Sequence, residues 1–292
     1  MAGPPRKQQP TAASQGGPRL PPRLAAVAAA VPDGPAHVVA DIATGRAELA
    51  VHLAATGRTS RVIAVDRSPK AVAIATQLVV AHGVTDRVTL RVGDGPRAID
   101  ADEADVVVMA GIGGRLMSNL LQRDAAHLVQ RNWGPLLVLQ PQSEPRLVRD
   151  WVVRQGRELG YVPVAEALVR DAGRYYHILS AQRLPPPARP AAIGETVGWL
   201  GAGFAATVAE VGPLLFCQPD PLLEGYLLWR AEALSNLATK ASGSGSPAGL
   251  RKADAAACLA AEFRLAAKAV REHKTAPSRA DNGQAEAETE AD

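Results

Sequence analysis

Aromatic residues make up only 4% of this 292-residue chain, while apolar residues make up 47%, so a full core is available but has to be built mostly from Ala, Val and Leu. The two cysteines, Cys217 and Cys258, have neither CxxC nor metal-ligand spacing, which excludes a disulfide framework. The six histidines, at 37, 52, 82, 127, 177 and 273, are scattered without an HExxH motif or an i, i+4 pair, so no metal is expected. No apolar stretch approaches the length that spans a bilayer. The run at 24–31 has eight residues, ends at Pro32 and is flanked by prolines, too short for a secretory leader. These absences predict a cytoplasmic chain with no membrane partner. Residues 1–23 hold no acid, but their six prolines exclude an amphipathic transit helix, and 1–19 reads as a disordered basic arm. The net charge of +3 is compatible with an anionic partner, and equally with a composition rich in Arg.

What the chain does contain is concentrated at 105–114, DVVVMAGIGG. Asp105 to Met109 is a β-branched apolar run of buried-strand type, and helix-type residues follow from Arg115. The glycine-rich turn between them lies where open α/β sheets hold their ligands, at the carboxyl end of a strand. Three glycines in four residues remove the side chains that would keep a ligand from the backbone. Before this turn, three predicted strands each end in or just before an acid: Asp41 at the end of 37–42, Asp66 after 61–65, and Asp94 in the Gly93-Asp94-Gly95 turn after 87–92. Asp66 fits the acid that binds ribose hydroxyls about twenty residues beyond a first strand turn.

Punctuation along the chain supplies the remaining elements. A short helix over 20–31 is predicted to cap the sheet. Helices follow over 46–55 and from Pro69, with Ser68 as N-cap and Gly83 as the residue past the end. A helix over 114–131, a strand over 136–140 stopped by Pro141, and a helix over 144–156 come next. The pattern then changes to two strands, 161–169 and 175–181, joined at Asp171-Ala172-Gly173 as a hairpin. Residues 184–190, LPPPARP, read as a linker. Leu223, Leu227, Leu234 and Leu237 mark one helix over 219–241. Ala256, Leu259, Phe263, Ala266 and Val270 mark another over 248–273. The GSGSP break between them suggests an antiparallel helical hairpin. The last twelve residues carry five acids and no base, a disordered tail.

At this point the chain resembles a known family, the bacterial tRNA (adenine-N1)-methyltransferases of the TrmK type, which modify adenine 22. The resemblance runs from Arg23-Leu24 and Val31-Pro32 through VADI at 39–42, Asp66, the GDG turn at 93–95 and the AGIGG turn at 110–114. It continues through LQP at 139–141, GRYYHILSAQR at 173–183 and VGPLL at 211–215, and so covers residues 20–240. It implies an α/β fold: a seven-stranded Rossmann-like class I methyltransferase sheet followed by a C-terminal α-helical, coiled-coil-like hairpin. The implied divisions are the basic arm at 1–19, a methyltransferase domain at 20–184, a linker and helical domain at 185–273, and the acidic tail at 274–292. The family's first turn has the pattern DIG-[ST]-DHA. Here Ala43 stands for its glycine and Gly45-Arg46 for its Asp-His pair.

The resemblance implies S-adenosylmethionine as cofactor and tRNA as partner. Asp41, Gly45, Asp66, Arg67, Gly93, Asp94 and Gly95 would bind the cofactor, with Asp94 at its adenine end and Asp41 near its methionine end. Ala110, Gly111, Gly113 and Gly114 would line the reaction centre, and Arg46, Arg115, Gln140 and Pro141 would meet the substrate. Arg146 and Arg149 are further candidates for RNA contact, and Tyr175 and Tyr176 for stacking on a base. Methyl transfer to a ring nitrogen needs alignment more than a strong base, so the absence of a catalytic triad or carboxylate pair is consistent with an enzyme. Two other readings stay open: a methyltransferase of another acceptor, motivated by Gly45-Arg46, and a non-catalytic RNA-binding protein on the same scaffold. An NAD-linked oxidoreductase is disfavoured by the terminal hairpin and by the lack of GxGxxG after the first strand.

Overall fold

A computed structural model describes residues 17–184, 200, 202–217 and 219–275. The expected basic arm up to residue 16, most of the linker and the tail from 276 lie outside the described residues. The chain divides into two compact units, Met1–Ala191 and Ala192–Asp292.

The first unit is built on seven strands: β1 (Gly34–Ile42), β2 (Thr59–Asp66), β3 (Val88–Val92), β4 (Val106–Ala110), β5 (Leu136–Gln140), β6 (Tyr161–Asp171) and β7 (Arg174–Arg183). Their order in the sheet is β3-β2-β1-β4-β5-β7-β6. The first five are parallel, and β7 runs antiparallel to both β5 and β6. The sequence places strands and hairpin correctly because each strand is an apolar, β-branched run bounded by turn residues. The hairpin turns on Ala172 and Gly173, both at positive φ (46° and 77°), the backbone a two-residue turn between twisted strands requires.

Adjacent residues of each central strand enter opposite cores, because side chains alternate across a sheet. Val39, Val62, Val106 and Val138 pack with Val27, Leu49, Leu53 and Val79 on one face. These come from α1 (Pro22–Ala30), α2 (Glu48–Ala55) and α3 (Pro69–Ala81). Ala40, Ile63, Val107 and Leu137 pack on the other face with Met117, Leu121, Val148 and Trp151, from α4 (Gly114–Arg123) and α5 (Pro145–Trp151). Burying a Leu or Val side chain stabilises by ~1.5–3 kcal/mol, so two filled faces hold the sheet despite few aromatics. Helix α1 lies against β5, β6 and β7, as expected of a cap. Ser68 accepts from the Ala71 amide at 3.3 Å with Pro69 next in line, and Gly83 has φ 65°, as the punctuation of α3 predicts.

Three helix boundaries of the first unit differ from expectation for a visible reason. Helix α2 begins at Glu48, because Gly45 and Ala47 have positive φ and the chain is still turning at Arg46. The helix expected over 114–131 stops at Arg123, since the Asp124 side chain turns inward to Arg97 and Arg123; a 3-10 helix, His127–Asn132, follows. Helix α5 passes into one π-helical turn at Val152–Gly156.

The second unit contains α6 (Ala205–Val211), α7 (Leu214–Cys217), α8 (Leu223–Ser242) and α9 (Pro247–Thr275). The last two form an antiparallel hairpin: Arg271 near the end of α9 bonds Glu224 at the start of α8, and Arg264 bonds Ser235. Leu223, Leu227 and Leu234 of α8 and Ala256, Phe263, Ala266 and Val270 of α9 are buried, the stripe their spacing predicts, whereas Leu237 is exposed. Both cysteines are free thiols.

Candidate active site

The sheet order reverses between β1 and β4, the switch point at which α/β sheets open a crevice. A small cleft, open to solvent, lies there, lined by Leu24, Asp41, Ala43, Thr44, Arg46, Glu48, Leu49 and Ala110. Asp41 ends its buried run 3% exposed. Burial pushes its carboxyl up to about 7; the bond from the Thr44 hydroxyl at 2.6 Å opposes this, and the nearby Asp66 charge adds to it.

Asp66 ties the first turn to the end of β2. Its Oδ2 accepts from the Gly45 amide at 2.9 Å and its Oδ1 from the Ser68 amide at 2.9 Å. Each oxygen keeps a second lone pair for a hydroxyl donor. The turn itself is strained: Ala43, at the family's glycine position, has φ 61°. Arg67 is exposed beside Asp66.

The GDG turn is held from α4. Arg123 donates to both the Asp94 carboxylate and the Asp94 carbonyl, and also pairs with Asp124. Burial pushes the Asp124 carboxyl up, but hydrogen bonds from Arg123 and Arg97 outweigh it and hold the group below the ordinary carboxylate range. Gly95, at φ 79°, has no room for a Cβ against Arg123 and Asp124. A Cβ on Gly93 would meet that of Ala98.

The glycines of the AGIGG turn do different work. Gly111 has φ 79°, and its amide donates to the Gln140 carbonyl at 3.1 Å and to the Gln140 side chain at 3.2 Å. Gly111 is exposed, and a Cβ there would just touch an Arg23 nitrogen at 3.5 Å. Gly113 caps α4. Gly114 lets the first turn of α4 touch the Ser143-Glu144 backbone, where a Cβ would stand 2.4 Å from two carbonyl oxygens.

The expected substrate contacts fall in different surroundings. Gln140 is fully buried: its amide oxygen takes Arg23 Nη1 at 2.5 Å as well as Gly111, and its amide nitrogen donates to the Pro141 carbonyl at 2.9 Å. It braces the turn from within, and Pro141 is buried beside it. Arg149 is 4% exposed and pairs with Glu166 at 2.6 Å inside the core, which removes it from any RNA surface. Arg115 is exposed and pairs with Glu144 at 2.8 Å, and Arg146 pairs with Asp150 at 3.6 Å. Tyr176 and Tyr175 are half-buried, with Arg23 and Arg170 over their respective rings.

Arg23 is the residue that sequence reasoning misses. It joins α1 to Gln140, to the ring of Tyr176 and, through its amide, to Asp171 at 3.3 Å. The signal was a cation at the first turn of an apolar helix expected to cap the sheet.

The frame of acids and open glycine backbone has counterparts among known proteins. Residues 20–179 match the model of a family described as a methyltransferase domain. The tRNA (adenine(22)-N(1))-methyltransferase of Bacillus subtilis is 28% identical over 188 residues, covering 64% of this chain and 75% of that protein. The crystal structure of the B. subtilis M1A22 tRNA methyltransferase TrmK superposes with a TM-score of 0.67 at 22% identity, covering 86% of this chain and 99% of that one. M. capricolum TrmK, solved with the natural cofactor product S-adenosyl-homocysteine, superposes with a TM-score of 0.64 at 18% identity, covering 85% and 97%. At such identities the structural likeness is one of fold. The match over 20–179 takes in all five parallel strands and most of the hairpin, and by it the chain belongs to the methyltransferase-domain family.

Proposed function

We propose that this chain is an S-adenosylmethionine-dependent methyltransferase acting on N1 of an adenine in tRNA, at position 22. The observation that carries the cofactor reading is the row of Asp41, Asp66 and Asp94 at successive strand ends beside the exposed Gly111. The acceptor reading rests on the likeness to the Bacillus enzyme, whose name specifies that nucleotide. It carries with it a cytoplasmic location and tRNA as partner.

The residues fit a nucleoside cofactor. Asp66 keeps lone pairs for the ribose hydroxyls, Gly93 to Gly95 and Asp94 would flank the adenine, and Asp41, Gly45 and Arg67 complete the set. When bound, S-adenosylmethionine supplies a methyl group already activated by its sulfonium. The chain therefore has only to align that group with the in-plane lone pair of adenine N1. Ala110, Gly111 and Gly113 leave space for a flat base against the backbone, and Gly114 holds their turn in place. Gln140, itself gripped by Arg23, fixes the Gly111 amide. A base in folded tRNA has to leave its stack to reach such a turn. Arg115, in the first turn of α4 next to the glycine turn, has an exposed side chain and one anionic partner to exchange for a phosphate.

One observation favours a second reading: Gly45-Arg46 replaces the family's Asp-His pair, which suits a changed acceptor. The test is incubation with isotope-labelled S-adenosylmethionine and unmodified tRNA, followed by digestion to nucleosides. Label in 1-methyladenosine mapping to position 22 is the expected result. Cofactor binding without label in any tRNA nucleoside would refute the tRNA reading in favour of another acceptor.

A further inference from the structure

We infer that Arg46 binds the carboxylate of the methyl donor's amino-acid end; this rests on the S-adenosylmethionine reading above. Among the described residues lining the cleft between β1 and β4, Arg46 is the only cation, and Asp41 and Glu48 are the acids. An amino-acid end carries an ammonium and a carboxylate. The two acids suit the ammonium and repel the carboxylate, which needs a donor of its own.

Several donors of the turn are already taken. The Thr44 amide is bonded to the Val65 carbonyl at 2.9 Å and the Ala47 amide to the Thr44 carbonyl at 3.0 Å. The Gly45 amide is bonded to Asp66 at 2.9 Å, and the Thr44 hydroxyl to Asp41 at 2.6 Å. The Arg46 guanidinium, in contrast, is 70% exposed and meets Glu48 only at 3.7 Å, beyond hydrogen-bond length. Its planar fork matches a carboxylate in bidentate fashion. Gly45 and Ala47 flank it at φ 59° and 60°, so its Cα sits in a tightly specified turn.

The same surroundings argue against the tRNA contact expected of Arg46 from the sequence. A phosphate approaching this cleft would meet Glu48 and the partly ionised Asp41 around one cation. Glu48, 37% exposed and next to the guanidinium, would exchange Arg46 for the ammonium as the carboxylate arrives.

The test uses the full chain and two nucleosides, S-adenosylhomocysteine and 5′-methylthioadenosine, which lacks the amino-acid end. Calorimetry with each is compared for the parent and Arg46→Ala, alongside filter binding of an unmodified tRNA transcript. Arg46→Ala is expected to weaken S-adenosylhomocysteine about tenfold and leave 5′-methylthioadenosine and tRNA unchanged, with Arg46→Lys recovering part of the loss. Equal weakening of both nucleosides, no weakening of either, or weakening of tRNA alone overturns the assignment. If the parent binds neither nucleoside, the cofactor reading falls and this assignment with it. A parent that binds both while Arg46→Ala behaves alike refutes this assignment only.

Discussion

Arg123 clasps Asp94 twice: its Nη1 donates to the carboxylate at 2.5 Å and its Nη2 to the main-chain carbonyl at 2.6 Å. Helix α4 begins at the AGIGG turn and ends at this arginine, so one ten-residue helix holds both the glycine turn and the GDG turn. The GDG turn is thereby shaped before any ligand arrives.

Removing the clasp should make ligand binding do that ordering. Arg123→Ala is expected to weaken S-adenosylhomocysteine severalfold and to raise KM for the methyl donor with little change in kcat. Because Arg123 also partners the fully buried carboxylate of Asp124, which would then be left to Arg97 alone, folding stability should fall by about 1–3 kcal/mol. Titration calorimetry beside a thermal melt separates the two effects, and an unchanged affinity would show that the clasp does not prepare the turn.

Asp41 makes stability depend on pH. Its carboxyl ionises near 7 in the folded chain, against an ordinary value of 3.8. Between those values the folded chain holds a proton that unfolding releases. Stability should therefore fall as pH rises from about 4 to about 7 and level off above, by on the order of a few kcal/mol. Asp41→Asn should flatten this limb. Denaturant midpoints taken at intervals across the window measure it.

Ala43 has the opposite lesson, a strained residue that glycine would relieve. Its φ of 61° costs an L-residue ~1–2 kcal/mol, partly offset because glycine gains entropy in the unfolded chain. Ala43→Gly should stabilise by about 0.5–1 kcal/mol and raise Tm by about 2 °C. A Tm that drops would mean that the turn relaxes around alanine at no cost.

Gly114 and Gly113 should respond differently to one added methyl. At Gly114 a Cβ meets the carbonyl oxygens of Ser143 and Glu144 at 2.4 Å, which the gain in helix propensity cannot offset. Gly114→Ala should cost ~1–3 kcal/mol and displace the turn, with loss of methyl transfer. At Gly113, with φ −63°, the nearest atom is the Ser143 hydroxyl at 3.4 Å, and alanine should fold normally. Melting curves of the two variants side by side give the comparison.

Arg149 should matter to folding and not to RNA. Arg149→Met takes the cation from Glu166, whose side chain is 2% exposed, and should cost ~3–5 kcal/mol. Adding Glu166→Leu should restore most of it. The tRNA affinity of the folded double variant should equal the parent's, and a clear loss would return Arg149 to the interface.

Local pattern determined a great deal by itself. Continuous β-branched apolar runs bounded by turn residues set the parallel strands, and Ser68-Pro69 and Gly83 set the ends of α3. The Ala172-Gly173 turn set the hairpin that distinguishes this sheet from an ordinary dinucleotide fold. The spacing of Leu223, Leu227 and Leu234 against Ala256, Phe263 and Val270 set the helical hairpin. Each is a contest among neighbours within about twenty residues, which sequence periodicity records. What Asp94, Gln140, Arg46 and Arg149 do was decided only in three dimensions. Asp94 meets a cation 29 residues away, and Gln140 meets one 117 residues away. Arg149 has the look of a surface helix charge until β6 supplies Glu166 opposite it, and Arg46 that of a helix residue until Asp66 pulls Gly45 into a left-handed turn. A polar side chain has no periodicity of its own, so its partner is chosen by the order in which the strands pair.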